Sequence, residues 1–143
     1  MVNNLFEKSE RSTFAYWFAH VCAFNMVAIK CNHWRFKYLF HDFWKPWLRL
    51  FLPYEKVQKI HRKMSNHHLD KLTDEDFLVS GNYVLFDWYA AIIDWECSRY
   101  TKASAQKTAY ETIPYEVEKF KDYFVREFVR NKLINTCKEL RLI

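Results

Sequence analysis

The chain contains very little glycine and proline: Gly81 is the only glycine among 143 residues, and there are three prolines. Tight β-hairpins depend on turn-forming residues of this kind, so their scarcity disfavours an all-β fold. The lack of glycine also excludes the glycine-rich phosphate loops of P-loop and dinucleotide-binding proteins. We therefore expect an all-α protein.

Cysteine pairs with C-x-x-C spacing are also lacking, although the chain has Cys22, Cys31, Cys97 and Cys137. No secretory signal with a small-residue cleavage site opens the sequence. This pattern disfavours a zinc ribbon and a disulfide framework. We predict reduced, mostly buried thiols in a cytoplasmic protein.

A run from Ser12 to Ile29 has no charged residue and is about long enough to span a bilayer. It nevertheless contains His20 and Asn25, and its aromatic residues are spread along its length instead of lying at its ends. Polar groups of this kind are costly in lipid. We predict a buried helix of a soluble bundle, with no membrane span.

The length of 143 residues is that of one domain, and we find no linker or repeat, so residues 1–143 are predicted to form a single helical bundle. Helical periodicity and breaker residues predict about five or six helices. Their expected bounds are residues 9–12 to 30, 36–52 with a break near Pro46, 53–66, 82–100, 103–112 and 114–140, the last packing on the others.

Histidine and aspartate residues form an ordered series: His20, His41-Asp42, His61, His67-His68 and Asp94. Imidazole and carboxylate are ligands that Zn, Mn and Fe prefer. We place His41-Asp42 inside a helix, where two adjacent polar side chains both need partners and a shared cation would satisfy them. The series therefore predicts a metal site.

Some polar residues near this series receive separate predictions. His33 falls in a turn outside the series and is not expected to bind metal. His61 and His68, seven residues apart on one predicted helix, would share a face, with His67 pointing elsewhere. Asp87 would share a face with Asp94 and orient a ligating histidine. Glu96 is expected to face solvent or to pair with Arg99.

The order of these residues resembles the HD-domain superfamily of metal-dependent phosphohydrolases, which are all-helical. Lys45 follows Asp42 by three residues, as in the HDxxK form of that family. The order is most similar to a small, uncharacterised HD-like family of bacteria and phages, which also has a His-His pair after an asparagine and an Asp-Trp pair. Here these are Asn66-His67-His68 and Asp94-Trp95, so the resemblance covers about residues 15–100.

The resemblance implies one or two divalent metal ions, with Mn, Fe, Co, Zn and Mg all open. A first ion would use His20, His41, Asp42 and Asp94. A second would share Asp42 and use His61 with one of His67 and His68. The catalytic residues would be Asp42 and Lys45, and Lys45 would face the substrate phosphate.

The implied activity is hydrolysis of a nucleotide or another small phosphoester by metal-activated water. Lys45, Arg62 and Arg99 are the candidate substrate-binding residues, and the net charge of +5 is compatible with an anionic ligand. Binding of nucleic acid is not expected. A di-iron oxygenase of the HD type and a protein-binding module with a structural metal site remain alternatives, and the oligomeric state is open.

Overall fold

The fold is all-α over residues 13–102 and 107–143, which are the residues that the computed structural model describes. The α-helices in these ranges are α1 (Phe14–Lys30), α2 (Trp44–Arg49), α3 (Tyr54–Met64), α4 (Trp88–Thr101), α5 (Ala109–Val117) and α6 (Tyr123–Glu139). Short 3-10 helices occupy Phe36–Phe40, Leu69–Lys71 and Asn82–Leu85, and a π-helix occupies Asp76–Ser80.

Side-chain caps define where several helices begin. The hydroxyl of Thr13 accepts a hydrogen bond from the backbone N–H of Tyr16 at the start of α1. Asp122 caps α6 in the same way. Thr108 and Glu111 form a reciprocal capping box at the start of α5. Such caps satisfy backbone donors that have no partner within the helix.

The core lies between α1 and α4, with α5 and α6 packed against α4. Both central helices contribute small buried residues, including Ala28 of α1 and Ala91 of α4, neither of which has any exposed surface. Small side chains let two helix backbones approach closely. This close packing brings His20 of α1 and Asp94 of α4 to the same place.

Three of the predicted helices are divided differently in the structure. The segment 36–52 is a 3-10 helix, a turn at residues 41–43 and α2, because the helical geometry ends before His41. The segment 82–100 is a 3-10 helix followed by α4, which starts after Asp87. Pro114 does not open the last helix: it lies inside α5, and α6 begins only at Tyr123.

The prediction for the start of the first helix falls on residues 9–12, and that for the piece after α4 falls partly on residues 103–106; both lie outside the described residues. In the part that is described, no helix has the length and apolar character needed to cross a membrane. The four cysteines are free, and three of them, Cys31, Cys97 and Cys137, are buried as predicted.

Candidate metal centre

His20 lies on the buried face of α1, one helical turn after Tyr16 and one before Phe24. Its ring stacks on Tyr16 at 5.5 Å between centroids and meets Phe24 edge-on. Its Nε2 lies 2.9 Å from Oδ1 of Asp94, and its Nδ1 lies 3.8 Å from the sulfur of Cys97. Both ring nitrogens are therefore oriented by residues of α4, and Nε2 faces the carboxylate.

The His41-Asp42 pair lies in the turn between the 3-10 helix and α2, so its predicted place inside a helix is wrong. Asp42 has a left-handed backbone with φ of 54°, a conformation that aspartate tolerates better than most residues. The indole of Trp17 donates a hydrogen bond of 2.9 Å to the His41 carbonyl. The His41 ring stacks on Phe24 with centroids 3.8 Å apart. This turn directs both side chains of the pair towards α1 and α4.

His61 is on the last turns of α3, whereas His67 and His68 follow the end of that helix. His61 and His68 therefore do not meet by sharing a helical face. The loop after α3 folds back and brings Nε2 of His68 to 2.8 Å from Nε2 of His61. The prediction that His67 points elsewhere is wrong, because its Nε2 lies 3.5 Å from Oδ1 of Asp42. The backbone N–H of Asp87 holds this loop through a 2.8 Å hydrogen bond to the Asn66 carbonyl.

Two groups of candidate ligands result, and they share Asp42. The first comprises His20, His41, Asp42 and Asp94, and the second comprises Asp42, His61, His67 and His68. Within each group one ligand atom from every residue lies within 4.8 Å of the others. All seven residues of the predicted series thus come together; the first set is the one that the resemblance implies, and the second contains both His67 and His68, where one of the two was expected.

The spacing within these groups is that of ligands around a small cation. Ligands about 2.1 Å from a tetrahedral metal ion lie about 3.4 Å from one another. Here the Nε2 atom of His41 is 3.2 Å from Asp94 Oδ1, and that of His61 is 3.1 Å from Asp42 Oδ1. Oδ1 of Asp42 and Nε2 of His67 are buried without a hydrogen bond of ordinary geometry. These residues fit a divalent metal ion.

The protonation of the histidines also suits metal binding. Burial lowers the pKa of His20, lowers that of His67 to about 4 and lowers that of His68 to about 2. These three imidazoles are therefore neutral near pH 7, which is the form that binds metals. No proton has to leave them before an ion can bind.

The two carboxylates of the centre remain ionised despite their burial. Burial raises the pKa of Asp42, but the charges of His41 and His61 outweigh it and hold this pKa well below its usual range. Hydrogen bonds from His20 and His41 do the same for Asp94. In turn, burial lowers the pKa of His41, and the two carboxylates more than reverse this. The two buried carboxylates thus need positive charge close by, and a divalent cation would supply it in place of a proton on a neighbouring histidine.

Two cavities reach the centre beside Lys45, whose side chain is 6% exposed. One has a volume of about 370 Å³ and is lined by His20, Asp94 and His68 with the cations Lys45, Arg62 and Lys102 among others. The other, of about 390 Å³, lies on the side of His41 and His67. Burial lowers the pKa of Lys45 to about 8, and among the described residues no carboxylate oxygen lies within 4.0 Å of its Nζ.

Of the two predicted substrate-binding arginines, Arg62 lines the first cavity and forms an ion pair with Asp70. Arg99 lines neither cavity, because its guanidinium lies 2.5 Å from Glu96. Glu96 has the predicted partner but is buried, and it also accepts a 2.9 Å hydrogen bond from the backbone N–H of Ala109. Arg99 is thus placed to support the fold, and the anion-contact prediction for it is not supported.

Asp87 does not touch a histidine of the centre, which corrects the role predicted for it. Its carboxylate caps α4 through the backbone N–H of Ala90 and pairs with Lys37 at 2.7 Å. Because α4 begins after Asp87, the carboxylate of this residue serves as the helix cap. Asp87 is therefore not on the helix that carries Asp94, and the two do not share a helical face. His33 stacks on Tyr89 at 4.2 Å and belongs to neither ligand group.

Sequence reasoning missed Tyr16 and Lys102, which line the first cavity. Tyr16 precedes His20 by four residues, and this spacing alone indicates a shared helical face. Lys102 follows the end of α4, two turns beyond Asp94, so the same periodicity could have found it. Comparison of the chain with protein-family models, with curated proteins and with solved structures gives no match.

Proposed function

We propose that this protein is a metal-dependent phosphohydrolase of the HD-domain type, acting on a nucleotide or another small phosphoester. The observation that carries the proposal is the position of Lys45 beside two metal-ligand groups that share Asp42. The resemblance of the residue order to HDxxK proteins supports the same activity. The alternatives of an oxygenase and a structural metal site are separated from it by the tests below.

The buried ammonium of Lys45 is the feature that distinguishes this site from a purely structural metal site. An ammonium without a carboxylate partner is costly to bury, and the low pKa of about 8 reflects that cost. An anionic phosphoryl group at the centre would supply the missing partner. A fixed charge of this kind stabilises the transition state without reorganisation.

The ligand residues would have distinct roles in such a reaction. What a bound divalent ion supplies is an acidified water as nucleophile and a Lewis acid for the phosphoryl oxygen. Asp42, shared by both groups, would fix the two ligand sets relative to each other. Arg62 and Lys102 line the cavity in front of the centre and would attract the anionic substrate.

The test is a turnover screen of nucleotides and generic phosphoesters with Mn, Fe, Co, Zn and Mg. We expect turnover with at least one metal and its complete loss on chelation. Lys45→Ala should keep the metal and the fold but lower kcat by about 10²–10³, the usual effect of removing one preorganised charge. Lys63→Ala, an exposed lysine of α3, is the matched control and should be as active as the unaltered protein.

A screen with stoichiometric metal and no turnover on any phosphoester would refute the hydrolase proposal. Uptake of oxygen by the iron-loaded protein would then favour the oxygenase. Equal activity of the Lys45→Ala and Lys63→Ala variants would contradict the role given to Lys45.

A further inference from the structure

The two cavities that meet at the metal centre share Asp42, Lys45 and His61 but otherwise differ in their walls. Together they give the part of the centre at Asp42 and Lys45 two approaches with different surroundings. The first approach, on the side of Asp94, carries the charged and polar residues Glu55, Gln58, Lys59, Arg62 and Lys102. A ligand bound at Asp42 would therefore have one part in each of two different surroundings.

The second cavity is apolar apart from the residues of the centre itself. Its outer wall consists of Phe40, Phe43, Trp44, Leu48, Ile60 and Met64. Outside the metal-ligand groups, the polar groups in its lining are those of Lys45 and Ser65 and the indole N–H of Trp44. Ser65 already lies 3.2 Å from Nδ1 of His61. The cavity thus offers few hydrogen-bonding groups with which to recognise the edge of a nucleobase.

Three side chains of the apolar wall are largely open to water. Phe40 is 56% exposed, Trp44 is 69% exposed and Met64 is 72% exposed. The rings of Phe40, Phe43 and Trp44 form a continuous row, with successive centroids 6.3 Å and 5.5 Å apart. Covering such a wall with an apolar group removes its surface from water, which is the main favourable contribution to binding of this kind.

We propose that the phosphoester substrate carries an aryl or alkyl group, which binds in this aromatic cavity while its phosphoryl group lies at the metal centre. The inference rests on the proposed function and narrows its substrate class from phosphoesters in general to those with an apolar substituent. The volume of about 390 Å³ is within the range of small-molecule sites and accommodates a phenyl ring or a short alkyl chain. Any polar portion of the substrate would face Arg62 and Lys102 in the first cavity.

The experiment measures binding of methyl-, butyl- and phenylphosphonate to the metal-loaded protein by calorimetry. Phosphonates cannot be hydrolysed as esters, so the measurement does not depend on activity. Each buried methylene contributes about fourfold in affinity, so we expect butylphosphonate to bind at least about tenfold more tightly than methylphosphonate. Trp44→Ala and Met64→Ala should each reduce this ratio and leave the affinity for methylphosphonate unchanged.

Phe51→Ala is the matched control, because Phe51 is an aromatic residue with 85% exposure that lines neither cavity. It should preserve the ratio. Equal affinities for the methyl and butyl compounds, undetectable binding of all three, or an unchanged ratio in both cavity variants would overturn the inference.

A parallel series of methyl, butyl and phenyl phosphate monoesters, assayed by release of phosphate, separates the two proposals. Turnover with the same kcat/KM for all three esters would refute the apolar substrate class and leave the hydrolase function standing. A chain-length dependence of phosphonate binding, without turnover of any ester, would refute the hydrolase function and support the apolar cavity as a ligand site.

Discussion

Replacement of Asp42 by asparagine should abolish the stabilisation of this protein by divalent metal ions. Asp42 belongs to both ligand groups, and its side chain is 6% exposed, so the change removes the one carboxylate on which both sites depend. Asparagine keeps the size of the side chain and tolerates the left-handed backbone at this position, where φ is 54°. The variant should therefore fold.

The size of the effect follows from the linkage between binding and folding. A ligand at 100 times its dissociation constant stabilises the folded state by about 2.7 kcal/mol. For a chain of this size, each kcal/mol raises Tm by about 2–4 °C. One bound ion should then raise Tm by about 5–10 °C, and two ions by more, whereas the Asp42→Asn variant should show almost no shift at the same metal concentration.

The assay compares thermal unfolding of chelator-treated protein with and without Mn or Zn, together with elemental analysis after gel filtration. Asp94→Asn and His68→Ala each affect one ligand group only, so each should lower the metal stoichiometry without abolishing it if two ions bind. Asp87→Asn, the same chemical change at a carboxylate outside the centre, serves as the control. A metal-dependent Tm shift in Asp42→Asn as large as that of the unaltered protein would refute the shared-ligand geometry.

Two further predictions concern residues that lie outside the centre. His33→Ala should retain full metal content and lose no more than about 1 kcal/mol of stability, and loss of metal on elemental analysis would contradict the ligand assignment. Burial raises the pKa of Asp87, but Lys37 and the Ala90 N–H outweigh it and hold the pKa below its ordinary value. Asp87 therefore stabilises the fold above about pH 4, and this contribution is lost as pH falls through its folded-state pKa. Asp87→Ala should cost about 1 kcal/mol in urea unfolding at pH 7 through loss of the helix cap, and a difference from the unaltered protein that does not shrink below pH 4 would contradict this reasoning.

Helix content and the members of the centre could be predicted from sequence, because helical periodicity and the chemistry of histidine and aspartate are both visible there. The turn at His41-Asp42 could not be predicted, because residues 40–43 include neither glycine nor proline, the residues that usually mark a turn. Its left-handed backbone is set by packing against α1, including the hydrogen bond from Trp17.

The ends of two other helices show how local signals compete. Proline is often found in the first turn of helices, which favoured a helix start at Pro114. The capping box of Thr108 and Glu111 starts α5 earlier and places Pro114 inside it. This box was present in the sequence and was the stronger signal. The fold of the His67-His68 loop depends on the contact between Asn66 and Asp87, which no pattern in the sequence indicates.

The distance along the chain between the ligands has a consequence for folding kinetics. Asp94 lies 53 residues from His41, and both must meet His20 on α1 before the first ligand group is complete. Contacts of such long range form only once the loops between them have closed. If these contacts form after the rate-limiting step of folding, the ligand groups are incomplete in the transition state. A bound ion then stabilises the native state alone and lowers mainly the rate of unfolding. The metal would then lengthen the lifetime of the native protein and leave the rate of folding nearly unchanged.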